Sequence, residues 1–180
     1  PYAISKIAGI KLCENYYHQY KNNFISIMPN NLYGPNDNFD LKTSHVLPAL
    51  IRKFHEAKIS NANIVEVWGT GKPLREFMHV DDMASASIFL MKNCSAKEIY
   101  DSNISHINAG TGEELTIKEL AFLIKDIVGF KGKIIFNTQF PDGMARKLLD
   151  ISRLSELGWS HKIKLKDGIK SVYKWYLNNK

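Results

Sequence analysis

Residues 2–37 read YAISKIAGIKLCENYYHQYKNNFISIMPNNLYGPND, and the order of patterns within them indicates a fold class. Over residues 2–20 the apolar positions recur at the period of an α-helix, and an Asn-Asn pair then breaks the pattern. Residues 24–28 are an apolar run that predicts a buried strand ending at Pro29, and residues 30–37 are a loop rich in turn formers. A helix followed by such a strand is the repeating unit of a doubly wound parallel α/β sheet.

The rest of the chain alternates between helical and extended patterns. Thr116, with Glu119 three residues later, has the signature of a capping box at a helix start. Ligands of such a sheet bind beyond the carboxyl ends of its strands, where residues 29–33 would lie. The spacing predicts helices over residues 44–57, from about 80 onward, and over 116–129, 152–157 and 166–178, with strands over 64–68, 75–78, 105–109 and 133–136 and a glycine turn at 69–71.

The composition is that of an ordinary globular protein, with 44% hydrophobic and 23% charged residues. No run approaches the ~18 apolar residues of a membrane-spanning helix, and the first residues lack the pattern of a signal peptide. Cys13 and Cys94 match neither a metal-binding spacing nor a disulfide framework, so we expect a cytoplasmic protein without a bound metal. The net charge of +6 is spread along the chain, which argues against nucleic-acid binding and suits a substrate that carries phosphates.

Two short patterns contain groups that could catalyse proton transfer. Tyr2 and Lys6 lie one helical turn apart, so a phenol and an ammonium group share one face, although this spacing also occurs by chance on helix surfaces. Asp81 and Asp82 resemble a catalytic carboxylate pair, but adjacent helical residues point about 100° apart. We interpret them as acidic residues at a helix start, with His79 as their local partner.

A dinucleotide-binding sheet also needs a first strand, a glycine-rich turn and a helix. The sequence contains no G-x-G-x-x-G motif, and the Gly-Thr-Gly segment at 69–71 lacks the third glycine. We therefore expect this chain to be the C-terminal portion of a longer protein and to be inactive alone. Its first helix should then expose apolar surface that missing strands would cover.

Six segments in chain order carry a resemblance to a known family: YAISKIAGIKLCENY, MPNNLYGPNDNF, SHVLPALIRKFHEAK, VWGTGKPLREFMHVDDMA, HINAGTGEELTIKELA and PDGMARKLLDISRLSELGW. Together they resemble the GDP-L-fucose synthases of the extended short-chain dehydrogenase/reductase family, over nearly all 180 residues. The resemblance implies the C-terminal part of a Rossmann-like doubly wound parallel sheet, beginning at the catalytic tyrosine, plus a smaller α/β substrate-binding domain. Residues 1–40 would belong to the NADP-binding domain, and residues 41–180 mainly to the substrate domain, with some segments returning to the first.

This resemblance implies an enzyme that inverts C3 and C5 of GDP-4-keto-6-deoxy-D-mannose and reduces its C4 ketone with NADPH, giving GDP-L-fucose. The ketone acidifies the hydrogens on both neighbouring carbons, so one acid–base pair serves both inversions. Tyr2 would donate a proton to the carbonyl oxygen, while Lys6 would favour the phenolate and hold the cofactor ribose. His45 would be the acid of the epimerisation. The family's epimerisation cysteine and its catalytic serine lie upstream of the tyrosine; Cys13, about 16 Å along the helix from Tyr2, is interpreted as a core residue.

The resemblance also implies two sets of binding residues. Many relatives have arginine in place of Lys53, which changes the geometry with which a diphosphate is bound. Without the resemblance, Trp68 is equally well interpreted as a core tryptophan, and Asp142, within Pro-Asp-Gly, as a turn former. The implied ligands of NADP(H) are Tyr2, Lys6, Pro29, Asn30, Asn31, Leu32 and His45, and those of the GDP-sugar are Lys53, Trp68, Arg75 and Asp142.

Two alternatives remain beside this interpretation. One is another nucleotide-sugar epimerase or dehydratase of the extended family, which the products formed from GDP- and UDP-sugars would distinguish. The other is a non-catalytic remnant that binds a sugar nucleotide or a protein partner and never has an upstream half. The resemblance further implies a homodimer formed through helices that include the one carrying Tyr2 and Lys6.

Overall fold

A computed structural model describes residues 1–179 of the chain. Helices alternate with pairs of strands, which confirms the predicted α/β class. The helices are α1 Tyr2–Tyr20, α2 Val46–Ile59, α3 Val80–Asn93, α4 Ala96–Tyr100, α5 Ile117–Val128, α6 Ser152–Glu156 and α7 Leu165–Asn179. The strands are β1 Ile27–Pro29, β2 Asn31–Tyr33, β3 Ile64–Trp68, β4 Leu74–His79, β5 Ile107–Ala109, β6 Glu114–Thr116, β7 Lys133–Asn137 and β8 Arg146–Lys147.

Within residues 1–179 the strands form three small sheets, and four of the five strand pairings are parallel. β1 pairs with β5, and β3 pairs with β7. The largest sheet is built around β4, which lies between β2 and β6 and also pairs with β8. Parallel neighbours require crossover connections, and helices supply them here, as in a Rossmann-like α/β fold.

Several predicted boundaries are confirmed because the signals that set them are local. β3 covers the predicted residues 64–68. At the start of α5, Glu119 N–H donates to Thr116 Oγ1 at 3.1 Å, and Thr116 N–H donates to Glu119 Oε2 at 2.7 Å. The same helix ends at Gly129, whose φ of 77° is the left-handed conformation that glycine adopts without strain.

Two predictions in the first 40 residues are wrong in part. The strand expected over 24–28 is only β1, because its partner β5 offers three residues for pairing. The loop expected over 30–37 contains β2, which pairs in parallel with β4. The elements α4, β6 and β8 were not predicted, although α4 begins with a Ser95–Glu98 capping box like that of α5.

Two hydrophobic clusters hold the elements together. The larger cluster packs α2, α5 and α7 against one face of the β3–β7 sheet, with Phe54, Leu120, Ile124 and Ile169 fully buried. The second cluster joins part of α1 to α3, α4, α6 and β5. Cys13 and Cys94 are free thiols that pack against the second cluster, as the core interpretation of Cys13 predicts.

Helix α1 contacts the rest of the chain through few of its residues. Tyr17 is its one buried side chain; its hydroxyl donates to Asp101 Oδ1 at 2.8 Å. The apolar side chains of Ile4, Ile7 and Leu12 are exposed, as expected. With 19 residues α1 is the longest helix, yet neither it nor any other helix in residues 1–179 is both long and apolar enough to cross a membrane.

Asp81 and Asp82 begin α3 and are structural, as predicted. The Asp81 N–H donates to Nδ1 of His79, the residue that caps the helix, at 3.2 Å. The buried carboxyl group of Asp82 accepts the N–H groups of Lys162 and Ile163, both at 3.0 Å. The prediction of His79 as local partner is thus confirmed for Asp81 and wrong for Asp82, and the two carboxyl groups do not form a pair.

Candidate active site

Tyr2 and Lys6 lie on one exposed face of α1. The Lys6 Nζ atom is 5.3 Å from the centroid of the Tyr2 ring, a cation–π distance. Tyr2 is 76% exposed, so its phenol is open to reactants. The shared face predicted from the spacing is therefore present, with the two side chains in contact.

His45 occupies the N-cap position of α2, with an extended backbone conformation. Its exposed side chain makes no capping hydrogen bond, and within residues 1–179 no hydrogen bond or ion pair involves the imidazole. The ring is thus available to a ligand. Because an imidazole changes its protonation near neutral pH, such a position suits proton transfer.

The loop that precedes His45 is held by contacts with α2 and α7 and by hydrogen bonds within the loop itself. Arg52 donates to the Phe39 carbonyl oxygen at 3.2 Å, and the Phe39 ring stacks on Trp175 of α7 with centroids 6.1 Å apart. The carboxyl group of Asp40 accepts the N–H groups of Lys42 and Thr43, each at 3.0 Å. These contacts fix the direction in which the chain enters α2.

The four consecutive residues 29–32, which were expected beside the cofactor, differ in their hydrogen bonds and packing. Pro29 ends β1, and the following Asn30 N–H donates to the Ala109 carbonyl oxygen at 3.2 Å. Asn31 Nδ2 donates to the Glu76 carbonyl oxygen at 2.7 Å, and Leu32 packs against the second hydrophobic cluster. Asn31 and Leu32 therefore lie in β2, which corrects their assignment to a loop.

The side chain of Asn30 is buried and lacks a partner for both of its polar atoms among residues 1–179. Buried amides are normally hydrogen-bonded, so an unpaired one points to a group absent from this chain. Asn30 follows the carboxyl end of β1, beside the start of β2. In open α/β sheets this is the edge where ligands bind.

Trp68, the last residue of β3, is the centre of a surface group of side chains, called here the Trp68 cluster. Its ring is 53% exposed and stacks on Phe140, with centroids 4.4 Å apart and an angle of 15° between the planes. Lys53 Nζ is 4.8 Å from the Trp68 ring centroid and donates to the Glu66 carbonyl oxygen at 3.2 Å. The alternative interpretation of Trp68 as a core residue is therefore wrong.

Asp142 is brought to the same end of β3 by the turn that follows the strand. Its carboxyl group accepts the Thr70 N–H at 2.9 Å and the Thr70 hydroxyl at 2.6 Å. Gly69, with φ of 82°, lies against this carboxyl group and leaves no room for a β-carbon. Arg75 reaches the neighbouring Gly143, where an added β-carbon would be 3.1 Å from Arg75 Nη2. The Pro-Asp-Gly segment has no regular structure, since the turn lies before it at residues 138–139, and Asp142 is a component of this cluster.

The charges in this cluster favour an anionic ligand. Burial lowers the pKa of the Lys53 ammonium, and Glu66 opposes that shift. The hydrogen bonds from Thr70 lower the pKa of Asp142, and the positive charges of Lys72 and Arg75 act in the same direction. This cluster therefore contains three cations and two carboxylates, a net charge of +1, beside an aromatic face that a planar group can contact.

Two partners in this cluster were missed from the sequence. Phe140 contacts Trp68, and Thr70 binds Asp142. The two residues of each pair are 72 positions apart in the sequence, so only the folded chain brings them together. The Gly-Thr-Gly turn itself was identified, but a threonine in a turn gives no sign of a remote carboxylate partner. Phe140 stands two residues before Asp142, which was the single local hint.

The structure joins the expected site residues into separate groups. Within residues 1–179 no hydrogen bond, ion pair or ring contact links the Tyr2–Lys6 pair to His45, or either of these to the cluster around Trp68. In the same residues no group of three or more histidine, cysteine or acidic side chains could hold a metal ion. The site chemistry accordingly consists of a Tyr–Lys pair, an open imidazole, an unpaired amide and a cationic aromatic cluster.

These features and the fold are typical of one class of protein. Residues 1–110 match the model of the NAD dependent epimerase/dehydratase family, and the chain belongs to this family. It is 56% identical over 183 residues to GDP-L-fucose synthase from Escherichia coli strain K12, covering 99% of this chain and 56% of that protein. These likenesses confirm the resemblance inferred from the motifs.

Solved structures of enzymes that act on GDP-sugars are also similar to this chain. A GDP-6-OMe-4-keto-L-xylo-heptose reductase from C. jejuni superposes with a TM-score of 0.90 at 44% identity, over 97% of this chain and 59% of that one. A GDP-L-fucose synthetase from Naegleria fowleri bound to NADP has a TM-score of 0.86 at 30% identity, over 99% of this chain and 53% of that one. The chain spans about half the length of the curated relatives it matches.

Proposed function

We propose that this chain carries the Tyr–Lys pair and the GDP-sugar site of an enzyme that converts GDP-4-keto-6-deoxy-D-mannose to GDP-L-fucose. The observation that carries the proposal is the cluster at the end of β3. Lys53 contacts Trp68, and Thr70, in the turn that follows β3, binds Asp142. Arg75 reaches Gly143, next to Asp142. Cations suit a diphosphate and an exposed indole face suits a sugar or a base, so the group fits a GDP-sugar.

The residues present also fit a nicotinamide cofactor. The unpaired Asn30 amide lies at the carboxyl end of β1, beside Pro29, and Asn31 and Leu32 follow in β2. Tyr2, Lys6 and His45 are all exposed and would face the same ligand in the complete enzyme. NADPH, when bound, supplies the hydride that reduces the C4 ketone.

The side chains of this chain would then control the protons. Tyr2 donates a proton to the C4 oxygen as that oxygen gains electron density, and the Lys6 ammonium stabilises the phenolate that remains. His45 returns a proton to the ring carbon during each inversion, since its imidazole is unpaired. The base that first removes the carbon-bound proton would belong to the upstream half of the enzyme proposed here.

We further infer the organisation of the complete protein. Residues 1–40 belong to the cofactor domain, and residues 41–180 mainly to the substrate domain, with some segments returning to the first. The second hydrophobic cluster supports such a return, since α3, α4, α6 and β5 pack there with α1. Apolar side chains occur all round α1, which is typical of a helix buried among several neighbours. We propose the upstream half and a second subunit of a homodimer as those neighbours. The two free thiols suit the reducing cytoplasm.

The test is an assay of the enzyme with its upstream half, given GDP-4-keto-6-deoxy-D-mannose and NADPH, following the loss of reduced-nicotinamide absorbance. Tyr2→Phe is expected to lower turnover by roughly 10² to 10⁴, the usual contribution of a general acid. Tyr20→Phe is the matched control, because Tyr20 is an exposed tyrosine of the same helix, and its turnover should not change. The chain without its upstream half should be inactive.

The product decides between this function and its alternatives. GDP-L-fucose is the expected product. A reduced sugar whose C3 and C5 are not inverted would favour a 4-reductase, and one of the similar proteins is named as a GDP-heptose reductase. Conversion of UDP-sugars would indicate another nucleotide-sugar epimerase. A folded protein that binds sugar nucleotide without turnover would support the non-catalytic alternative.

A further inference from the structure

Glu76 is a fully buried acidic residue, 0% exposed, in the middle of β4. Its neighbour in the strand is Arg75, and successive side chains of a strand point to opposite faces. Arg75 therefore reaches the Trp68 cluster while Glu76 points into the protein. A buried carboxyl group is costly unless hydrogen bonds compensate for its lost hydration, so its partners indicate why it is there.

The carboxyl group of Glu76 connects two segments that are distant in sequence. Oε1 accepts the N–H groups of Thr111 and Gly112, at 2.6 and 2.7 Å, in the turn between β5 and β6. Oε2 accepts the N–H of Leu149 at 3.1 Å, just after β8. Both oxygens are thus occupied by backbone donors, and each oxygen serves one segment.

The surrounding backbone is built to receive this side chain. A β-carbon added to Gly110 would collide with Glu76 Oε1, so glycine is required for the close approach. The Glu76 carbonyl oxygen accepts the side-chain amide of Asn31 from β2. Glu76 therefore lies between the strand expected to face the cofactor and the segment that contains Asp142.

The chain from Asp142 to Leu149 is held at four points, one of which is Arg146, whose Nε donates to both carboxylate oxygens of Glu114 at 3.0 and 2.9 Å. Thr70 binds Asp142 at one end, with hydrogen bonds of 2.9 and 2.6 Å. In the middle, β8 pairs with β4, and the Leu74 N–H donates to the Ala145 carbonyl oxygen at 2.9 Å. Glu76 holds the far end through Leu149. Of these contacts, the one with Glu76 is made by a fully buried side chain.

We propose that Glu76 is a positioning residue that fixes Asp142 and the backbone around Arg75 in the geometry that binds the nucleotide diphosphate. This role rests on the proposed function, because it assumes that the Trp68 cluster binds a GDP-sugar. Glu76 itself is buried and touches backbone groups, so it acts through the residues that it holds. It is distinct from Arg75, its neighbour, which would contact the ligand.

Glu76→Gln tests the role with a minimal change in shape. A glutamine side chain has a single acceptor oxygen, and its NH₂ group cannot accept a hydrogen bond. If the oxygen keeps the two N–H groups at Thr111 and Gly112, the Leu149 N–H faces another donor. Leaving a buried donor unpaired costs roughly a factor of 10 to 100 in the population of the closed segment.

The experiment uses the complete enzyme and has two readouts. Hydrogen–deuterium exchange over residues 142–149 is expected to become about tenfold faster in Glu76→Gln, and the KM for the GDP-sugar and the Kd for GDP to rise about tenfold. The kcat should change less than about twofold, since Tyr2 and Lys6 are untouched. Glu113→Gln is the matched control: it removes the same charge beside the same turn, but Glu113 is exposed and its contact with His161 is long, at 3.8 Å.

The outcomes separate the two proposals. A wild-type enzyme that binds GDP, with a variant that shows unchanged GDP affinity and unchanged exchange, would overturn the role of Glu76 alone. A wild-type enzyme that does not bind GDP would overturn the proposed function itself. If Glu76→Gln does not fold, replacing Leu149 by its α-hydroxy acid removes only the N–H that Oε2 accepts, and the same tenfold changes are expected.

Discussion

Helices α1 and α5 are both rich in apolar residues, yet the protein packs them differently. On α5, Leu120, Ala121, Ile124 and Val128 lie on one face and are buried against α2 and α7. On α1, apolar side chains point in several directions and one tyrosine is buried. The part of the protein around α5 is therefore assembled from contacts within residues 1–179, whereas the Tyr–Lys helix presents surface that these residues do not cover.

The difference bears on which parts of the activity depend on other chain segments. The cluster around Trp68 obtains its partners from α2, β3, β4 and the segment before β8. The Tyr2–Lys6 pair has its internal contact, but its helix is fixed near its C-terminal end by Tyr17 and Asp101. Nucleotide binding should thus depend on the described fold, and proton transfer should depend on whatever packs against α1.

The largest expected effect compares two isoleucines that differ in burial. Ile124→Ala removes a fully buried side chain from α5 and should lower the free energy of unfolding by about 2–5 kcal/mol. Ile7→Ala removes an exposed side chain from α1 and should change it by about 0.5 kcal/mol or less. Urea denaturation followed by circular dichroism measures both.

A cost above ~2 kcal/mol for Ile7→Ala in the isolated chain would contradict the exposed state of α1. The same pair of variants in the enzyme with its upstream half sharpens the comparison. In the longer enzyme, Ile7→Ala should lower the free energy of unfolding by more than it does in the isolated chain, because the added neighbours bury the helix.

The second prediction concerns pH and acts on the substrate side. Burial lowers the pKa of Lys53 below its usual 10.5, so this lysine loses its charge at lower pH than an exposed one. Affinity for GDP is therefore expected to fall as the pH rises toward 10.5, by roughly tenfold for one lost charge-assisted contact. Calorimetric titration with GDP over this range measures the effect.

Lys53→Arg is the control for that titration, because arginine keeps its charge throughout the range. Its GDP affinity should fall less than that of the unchanged protein as the pH rises, because ionisation of the guanine N1–H affects both proteins equally. An equal fall in both proteins would show that Lys53 does not contact the diphosphate. The stability effect has the opposite sign, because burial disfavours the charged ammonium and its deprotonation relieves that cost.

The smallest expected effect compares two hydroxyl groups near helix starts. Thr116→Ala removes one half of the capping box of α5 and should lower the free energy of unfolding by about 1 kcal/mol. Ser5→Ala on α1 removes a hydrogen bond of 2.7 Å to the Tyr2 carbonyl oxygen at an exposed site and should cost about 0.5 kcal/mol or less. Thermal unfolding of both variants tests the ranking, and equal costs would contradict it.

Features that depend on neighbouring residues were predictable from the amino-acid order. The bounds of α1, β3 and the capped start of α5 were predictable, because periodicity and capping involve residues a few positions apart. The Tyr2–Lys6 contact was predictable for the same reason. The six motifs also identified the family, since a resemblance needs only the order of residues.

The remaining features arise from contacts between distant parts of the chain. β2, β6 and β8 have three residues or fewer, and each is a strand because β4 supplies its hydrogen-bond partners from a distant part of the chain. The predicted strand over 24–28 was shortened because β5 offers three residues for pairing. The contacts of Asp142 with Thr70, and of Glu76 with Leu149, join residues more than 70 positions apart. Such contacts depend on how the chain folds back on itself, and no local pattern encodes them.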